Sequence, residues 1–219
     1  MSSEEAPGIR EILSADPREV APWVLGAVLS HRSEQGTVAV RLSEVEAYLG
    51  PHDSHQPDPG SHTFRGRTPR NAPMFGPAGH LYVYFTYGMH YCSNIVCGPD
   101  GVASALLLRA GEVVEGLELA RARRPASRSD MDLASGPARL ATVLGLTTAD
   151  SGKDALAAPF SLVLPAAPVP AEVLARGPRV GVAGDGGTHD YPWRFWLAGD
   201  PTVSKYKAAV RRTRTRARD

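Results

Sequence analysis

Four groups of side chains in this sequence could do chemistry. Glu44, Glu46 and Tyr48 follow Val38, Val40 and Leu42 at a spacing of two, so the apolar face of a strand turns carboxylic at its end. A carboxylate there is paired or reactive, because an unpaired one is costly to bury. Desolvated beside aromatic rings, it could serve as a general base. The plainer reading is two surface glutamates beyond a bulge. The run His80–Tyr91 holds seven aromatic or histidine residues in twelve, with Tyr82 and Tyr84 on one face. Cross-strand packing explains most such runs, yet Tyr87 abuts Gly88 where the alternation breaks. An aromatic on a hairpin tip is exposed and suits contact with something flat. Arg65, Arg67 and Arg70 fall within six residues of a loop rich in Gly and Pro, the composition of a phosphate or nucleic-acid contact. Finally, His52, Asp53, His55, Asp58 and His62 could ligate zinc or iron, although their spacing matches no metal motif.

Other chemistries find no support. The glycine-rich phosphate loop, the dinucleotide fingerprint and the nucleophile elbow are all missing from the sequence. Lysines are only Lys153, Lys205 and Lys207, which leaves few candidates for Schiff-base catalysis. Cys92 and Cys97, the two cysteines, sit in an apolar stretch and read as buried, reduced thiols.

The elements that must position these groups are short. Asp16 caps a helix with Pro17 at its first position and Glu19 completing a box, and Val20, Trp23 and Val24 follow at helical spacing. Leu25–His31 and Thr37–Tyr48 read as a hairpin across a turn at 32–36, with Val38, Val40, Leu42, Glu44, Glu46 and Tyr48 on one face. Residues 49–79 form a loop long enough to suggest function. His80–Thr86, a strand near 90–97 and Val102–Arg109 give an antiparallel meander. Glu112–Arg124 and Ser135–Leu146 read as helices, the second capped by Ser135. Pro159–Pro170, Arg179–Ala183 and Trp193–Leu197 read as late strands. The class is α+β in one domain of 219 residues, with 22 Gly and 19 Pro marking many loops. No apolar run is long enough for a transmembrane helix, and the acidic N-terminus lacks a signal-peptide core, so an intracellular protein is expected.

Net charge is only +1, from 24 Lys+Arg and 23 Asp+Glu. The total hides an uneven distribution. Residues 1–60 carry 4 basic and 10 acidic side chains, whereas 131–219 carry 12 and 8. Lys205–Asp219 holds seven basic residues and one acid, a tail that could touch a polyanion or simply be solvated. A balanced total therefore does not exclude DNA.

Ser43–Gly50, Arg65–Asn71, Met74-Phe75, Leu81–Met89, Asn94 and Leu107–Ala110, in that order and spacing, resemble the alkyladenine (3-methyladenine) DNA glycosylases. Ser135-Gly136-Pro137 and Arg179–Val182 also look like family segments, so the resemblance covers about residues 17–204. It implies a single α+β domain with an antiparallel sheet, surrounding helices and a protruding, DNA-inserting β-hairpin, similar to the C-terminal domain of formyltransferases. Residues 1–16 would be a flexible N-terminal segment, 17–204 the glycosylase domain and 205–219 a basic tail. The implied partner is damaged double-stranded DNA, bound by a monomer without cofactor or membrane, in the nucleoid or nucleus. By position, Glu46 matches the base that activates water and Arg109 a residue beside the flipped nucleotide. Tyr48, His62 and Tyr84 match the walls of the base pocket, Asn94 a residue that screens purines, and Tyr87 the side chain that fills the gap left in the duplex. The family's threonine between the glutamates is Val45 here, which alternation points away from Glu46. A non-catalytic damage-binding module on the same fold, or a domain that acts on RNA, are the competing readings.

Overall fold

The computed structural model describes residues 8–209. Two helices open the chain, α1 (Ile9–Leu13) and α2 (Pro17–Val24). Strands β1 (Val28–Ser33) and β2 (Gly36–Tyr48) form the first hairpin, and β3 (Leu81–Thr86) and β4 (His90–Val96) the second. Next come β5 (Ala105–Glu115), α3 (Leu117–Arg123), α4 (Asp130–Leu133), β6 (Ala134–Ser135) and α5 (Pro137–Leu144). Strands β7 (Phe160–Val163), β8 (Leu174–Gly177) and β9 (Arg194–Leu197) complete one antiparallel sheet. Its main order is β3-β4-β5-β2-β1-β7, and β9 joins β2 beyond the end of β1. The α+β expectation holds at this level.

The sheet has two distinct faces. One carries Val45, Ala47, Leu81, Val83, Ile95, Leu106 and Leu108 into a core shared with Val20 and Val24 of α2 and Leu140, Val143 and Leu144 of α5. The other carries Tyr48, Tyr82, Tyr84, Cys92, Asn94, Leu107 and Arg109 into a cavity.

Strand β2 departs from simple alternation. Leu42 pairs with Gly111 and Glu44 with Ala110, which leaves Ser43 as an extra residue; Val45 pairs with Leu108, which leaves Arg109 extra on β5. These adjacent bulges flip the parity of β2. Val38, Val40 and Leu42 face the core before them, and Val45 and Ala47 after them. Glu44, Glu46 and Tyr48 therefore leave the apolar face instead of continuing it, correcting the alternation read from sequence. Val45 is fully buried in the core, on the side away from Glu46.

Other expectations shift for local reasons. Residues 112–115 extend β5 opposite Ala39–Arg41, and Gly116, at φ +73°, ends the strand before α3, so the helix expected from Glu112 is shorter. Ser135 pairs with Ala110 instead of capping, and α5 begins after Gly136, at φ +127°. Asp16 does cap α2 by accepting from the Arg18 N–H, but its carboxylate is gripped by the Arg18 guanidinium, and no capping box with Glu19 forms. The stretch Arg179–Ala183 is a loop, because the Val180 N–H is used by a side chain; β8 lies just before it. Within the segment expected to be flexible, α1 is helical and Leu13 is fully buried; residues 1–7 lie outside the described residues, as do 210–219 of the basic tail.

Candidate active site

A cavity of about 320 Å³ lies on the polar face of the sheet. Tyr48, His62, Tyr82, Tyr84, Tyr87, Asn94 and Arg109 line it, together with Cys92, Pro137 and the 180–183 loop. Seven positions singled out from sequence thus meet in one place. The register explains why: Tyr82, Asn94, Leu107, Glu46 and Arg194 form one continuous row of cross-strand partners.

Glu46 lies beneath this lining with a fully buried side chain. Its Oε1 accepts from the Val180 N–H at 2.7 Å, and its Oε2 from the Tyr48 hydroxyl at 2.9 Å. Arg109 Nη1 is 3.3 Å from Oε2. All three contacts are donors, the set that a carboxylate accepts. Arg109 also donates from Nε to Glu44 at 2.7 Å. Burial pushes the Arg109 pKa down, but Glu46 and Glu44 outweigh it and hold it above its ordinary value. Burial, followed by the Glu46 charge, raises the Tyr48 pKa well above 10, so its hydroxyl stays a donor.

Glu44 is the structural partner of this pair. It accepts from Arg109, from Arg194 Nε at 2.6 Å, and from the Ser204 N–H at 2.7 Å and Oγ at 3.0 Å. The two bulges place Glu44 and Arg109 side by side, so the two glutamates have different sets of partners despite their spacing of two.

The aromatic walls are mutually braced. Tyr82 and Tyr84 have ring centroids 5.3 Å apart, and His62 stands edge-on to Tyr84 at 4.6 Å. His62 Nδ1 lies 3.1 Å from the Tyr82 hydroxyl. The imidazole pKa is lowered, first by loss of water around it and then by Arg70, so it is neutral at pH 7. Burial raises Tyr82 to about 12 and Tyr84 further. Asn94 Nδ2 donates to the Tyr82 carbonyl at 2.9 Å, which fixes the amide against the cavity.

The β3–β4 hairpin ends in an exposed tip. Tyr87 is 85% exposed, with Met89 at 68% and Phe85 at 43%. Tyr87 has φ +51°, alone among described non-glycine residues in a left-handed conformation, and Gly88 follows at +67°. A strained backbone at an exposed aromatic is a frequent mark of function. Arg65, Arg67 and Arg70 are exposed on the neighbouring loop and do not line the cavity. Arg70 reaches the hairpin by donating to the Phe85 carbonyl at 3.0 Å and lying over Tyr84, while Arg67 lies over Phe75.

Several parts of the site escaped the sequence reading. The Val180 N–H is a backbone group with no residue signature. Cys92 lines the cavity, though cysteine was read only as core. Asp58, placed in the metal run, instead binds Arg179 through both oxygens, each at 2.7 Å. A Cβ at Gly60 or Gly186 would strike that guanidinium, so the glycines near it were the available signal. No cluster of three or more metal-ligating side chains occurs among the described residues.

The sequence model of the methylpurine-DNA glycosylase family matches residues 11–201. A Streptomyces avermitilis protein provisionally named 3-methyladenine DNA glycosylase is 54% identical over 96% of this chain and 97% of its own. Proteins with the same provisional name from Leifsonia xyli subsp. xyli and Burkholderia lata are 55% and 48% identical, over 90% and 85% of this chain and 92% and 85% of theirs. With a match of this length, and an aromatic cavity set over a buried glutamate, the chain belongs to the methylpurine-DNA glycosylase family of enzymes that hydrolyse N-glycosyl bonds in DNA.

Proposed function

We propose that this protein flips alkylated purines, 3-methyladenine and 7-methylguanine first and hypoxanthine or ethenoadenine among neutral candidates, out of duplex DNA. It then hydrolyses the N-glycosidic bond with water activated by Glu46. The observation that carries this reading is the position of Glu46: a buried carboxylate tied to Tyr48, a wall of the cavity, and to Arg109.

A stacked base is out of reach, so it must leave the helix. Tyr87 at the hairpin tip would enter the gap, offsetting part of an unstacking cost of a few kcal/mol. The flipped base would lie between Tyr48 and Tyr84, where a cationic methylpurine gains about 1–2 kcal/mol from the rings. Neutral His62 adds no repulsion. Asn94 would meet the base edge and crowd the amino group of guanine. As the glycosidic bond breaks, its electron pair leaves with the base and the sugar becomes oxocarbenium-like. Glu46 stabilises that charge and takes the proton of the water whose oxygen bonds to C1′. Arg109 holds Glu46 in place and reaches the cavity. Among the described residues, which include Lys153, Lys205 and Lys207, no lysine lines the cavity, which supports release of an abasic site without strand cleavage. Arg65, Arg67 and Arg70 would hold the phosphate backbone.

The test is incubation with duplexes holding 3-methyladenine, hypoxanthine or ethenoadenine, followed by alkaline cleavage at abasic sites. Cleavage at the lesion is expected. Tight binding to damaged DNA without any abasic product would favour a non-catalytic damage-binding module instead.

A further inference from the structure

Asp58 and Arg179 are fully buried charges that the reaction above leaves unused. Asp58 also accepts from the Leu49 and Gly60 N–H groups, and Arg179 donates to the Ala47 and Gly186 carbonyls. The guanidinium lies over the Tyr48 ring, 4.4 Å from its centroid, and over the Trp193 ring at 5.1 Å. Tyr48 lines the cavity and Arg179 does not, so the cation covers the ring face turned away from the cavity. Resting on the base-pocket reading above, the base would stack on the other face.

That arrangement sets two cations on opposite faces of one ring whenever the base is a cationic methylpurine. Stacking the base about 4.5 Å from Tyr48 puts the charges roughly 9 Å apart. At an effective dielectric near 20, their repulsion would weaken binding about twentyfold. Asp58, gripping both arms of the guanidinium, cancels the charge seen through the ring. Arginine still serves there for its shape: its planar fork anchors Tyr48, the chain at Ala47 and the loop whose Val180 N–H holds Glu46. We propose that Asp58 is a specificity-determining residue: by neutralising Arg179 behind Tyr48, it lets the braced aromatic wall accept a cationic purine without repulsion from behind the ring.

The test compares dissociation constants for duplexes holding 7-methylguanine and hypoxanthine, each against undamaged DNA. It uses a Glu46→Gln background so that the lesions survive. Asp58→Asn should weaken 7-methylguanine binding relative to hypoxanthine by about twentyfold. Arg179→Met, which leaves the aspartate alone, should shift the ratio the other way. The double variant, with neither charge, should return to the parent ratio. Loss of packing alone would weaken both duplexes equally, and an unchanged ratio in the single variants overturns the proposal. If Asp58→Asn does not fold, Arg179→Met decides: a ratio that stays level or falls overturns it. A background protein that binds 7-methylguanine no better than undamaged DNA refutes the base-pocket reading itself, a distinct failure.

Discussion

Glu44→Gln should separate support of the site from its chemistry. Glu44 is fully buried and accepts four hydrogen bonds, two of them from Arg109 and Arg194 at 2.6–2.7 Å. Glutamine keeps the shape but removes the charge and turns a donor toward two arginines. Leaving a buried cation uncompensated costs about 3–5 kcal/mol. A domain of this size loses about 2–4 °C of Tm per kcal/mol, so Tm should fall by roughly 6–20 °C. The effect should depend on pH with a definite sign. Burial pushes the Glu44 pKa up, but Arg109 and Arg194, with Ser204, outweigh it and hold it below 4.5. A lowered folded pKa gives stability that is present above pH 4.5 and lost as pH falls through the folded value. The gap between parent and variant should therefore be full at pH 7.5 and narrow below pH 4. Thermal melts at both pH values measure it. Excision well below Tm should survive better than in Glu46→Gln, because the Glu46 contacts to Tyr48 and Val180 remain. A variant with the parent's Tm at pH 7.5, or a gap that widens in acid, would refute the reasoning.

Three further outcomes are expected. Tyr87→Gly removes a side chain from a left-handed position that costs non-glycine residues about 1 kcal/mol, so Tm should hold or rise while base extrusion, read by a fluorescent base analogue, falls; parent-level extrusion would remove the wedge role. Lys205→Gln with Lys207→Gln should lower the slope of log K against log salt by roughly 2. Both lysines line a groove that meets the cavity at Arg109 and Val180, and an unchanged slope would take that groove off the DNA path. Asn94→Ser should raise excision of normal guanine, and a variant no more active on guanine than the parent would end the idea of a clash with its amino group.

What could be read from the sequence follows from the range of each interaction. The aromatic hairpin was legible because period two over Leu81–Thr86 and a Tyr-Gly break are local signals. Glu46 and Arg109 are picked out correctly as residues, but alternation puts Glu46 on the wrong side of its strand, since a bulge has no fixed signature and one extra residue reverses every side chain beyond it. The Asp58–Arg179 pair spans 121 positions, and each partner had a local decoy: Asp58 lay among histidines that suggested a metal, and Arg179 began a stretch that alternates like a strand. Ser204 was hidden for a similar reason. Its role depends on the chain returning to Glu44 from 160 residues away, next to a tail whose basic composition suits solvent.

The most direct measurement is single-turnover excision of 3-methyladenine or 7-methylguanine by Glu46→Gln beside the parent protein, with binding to the same duplex recorded in parallel. The expected result is damaged-DNA binding within a few-fold of the parent and an excision rate lower by about 10²–10⁴, the usual contribution of a general base. Excision near the parent rate by that variant would contradict the assignment of Glu46.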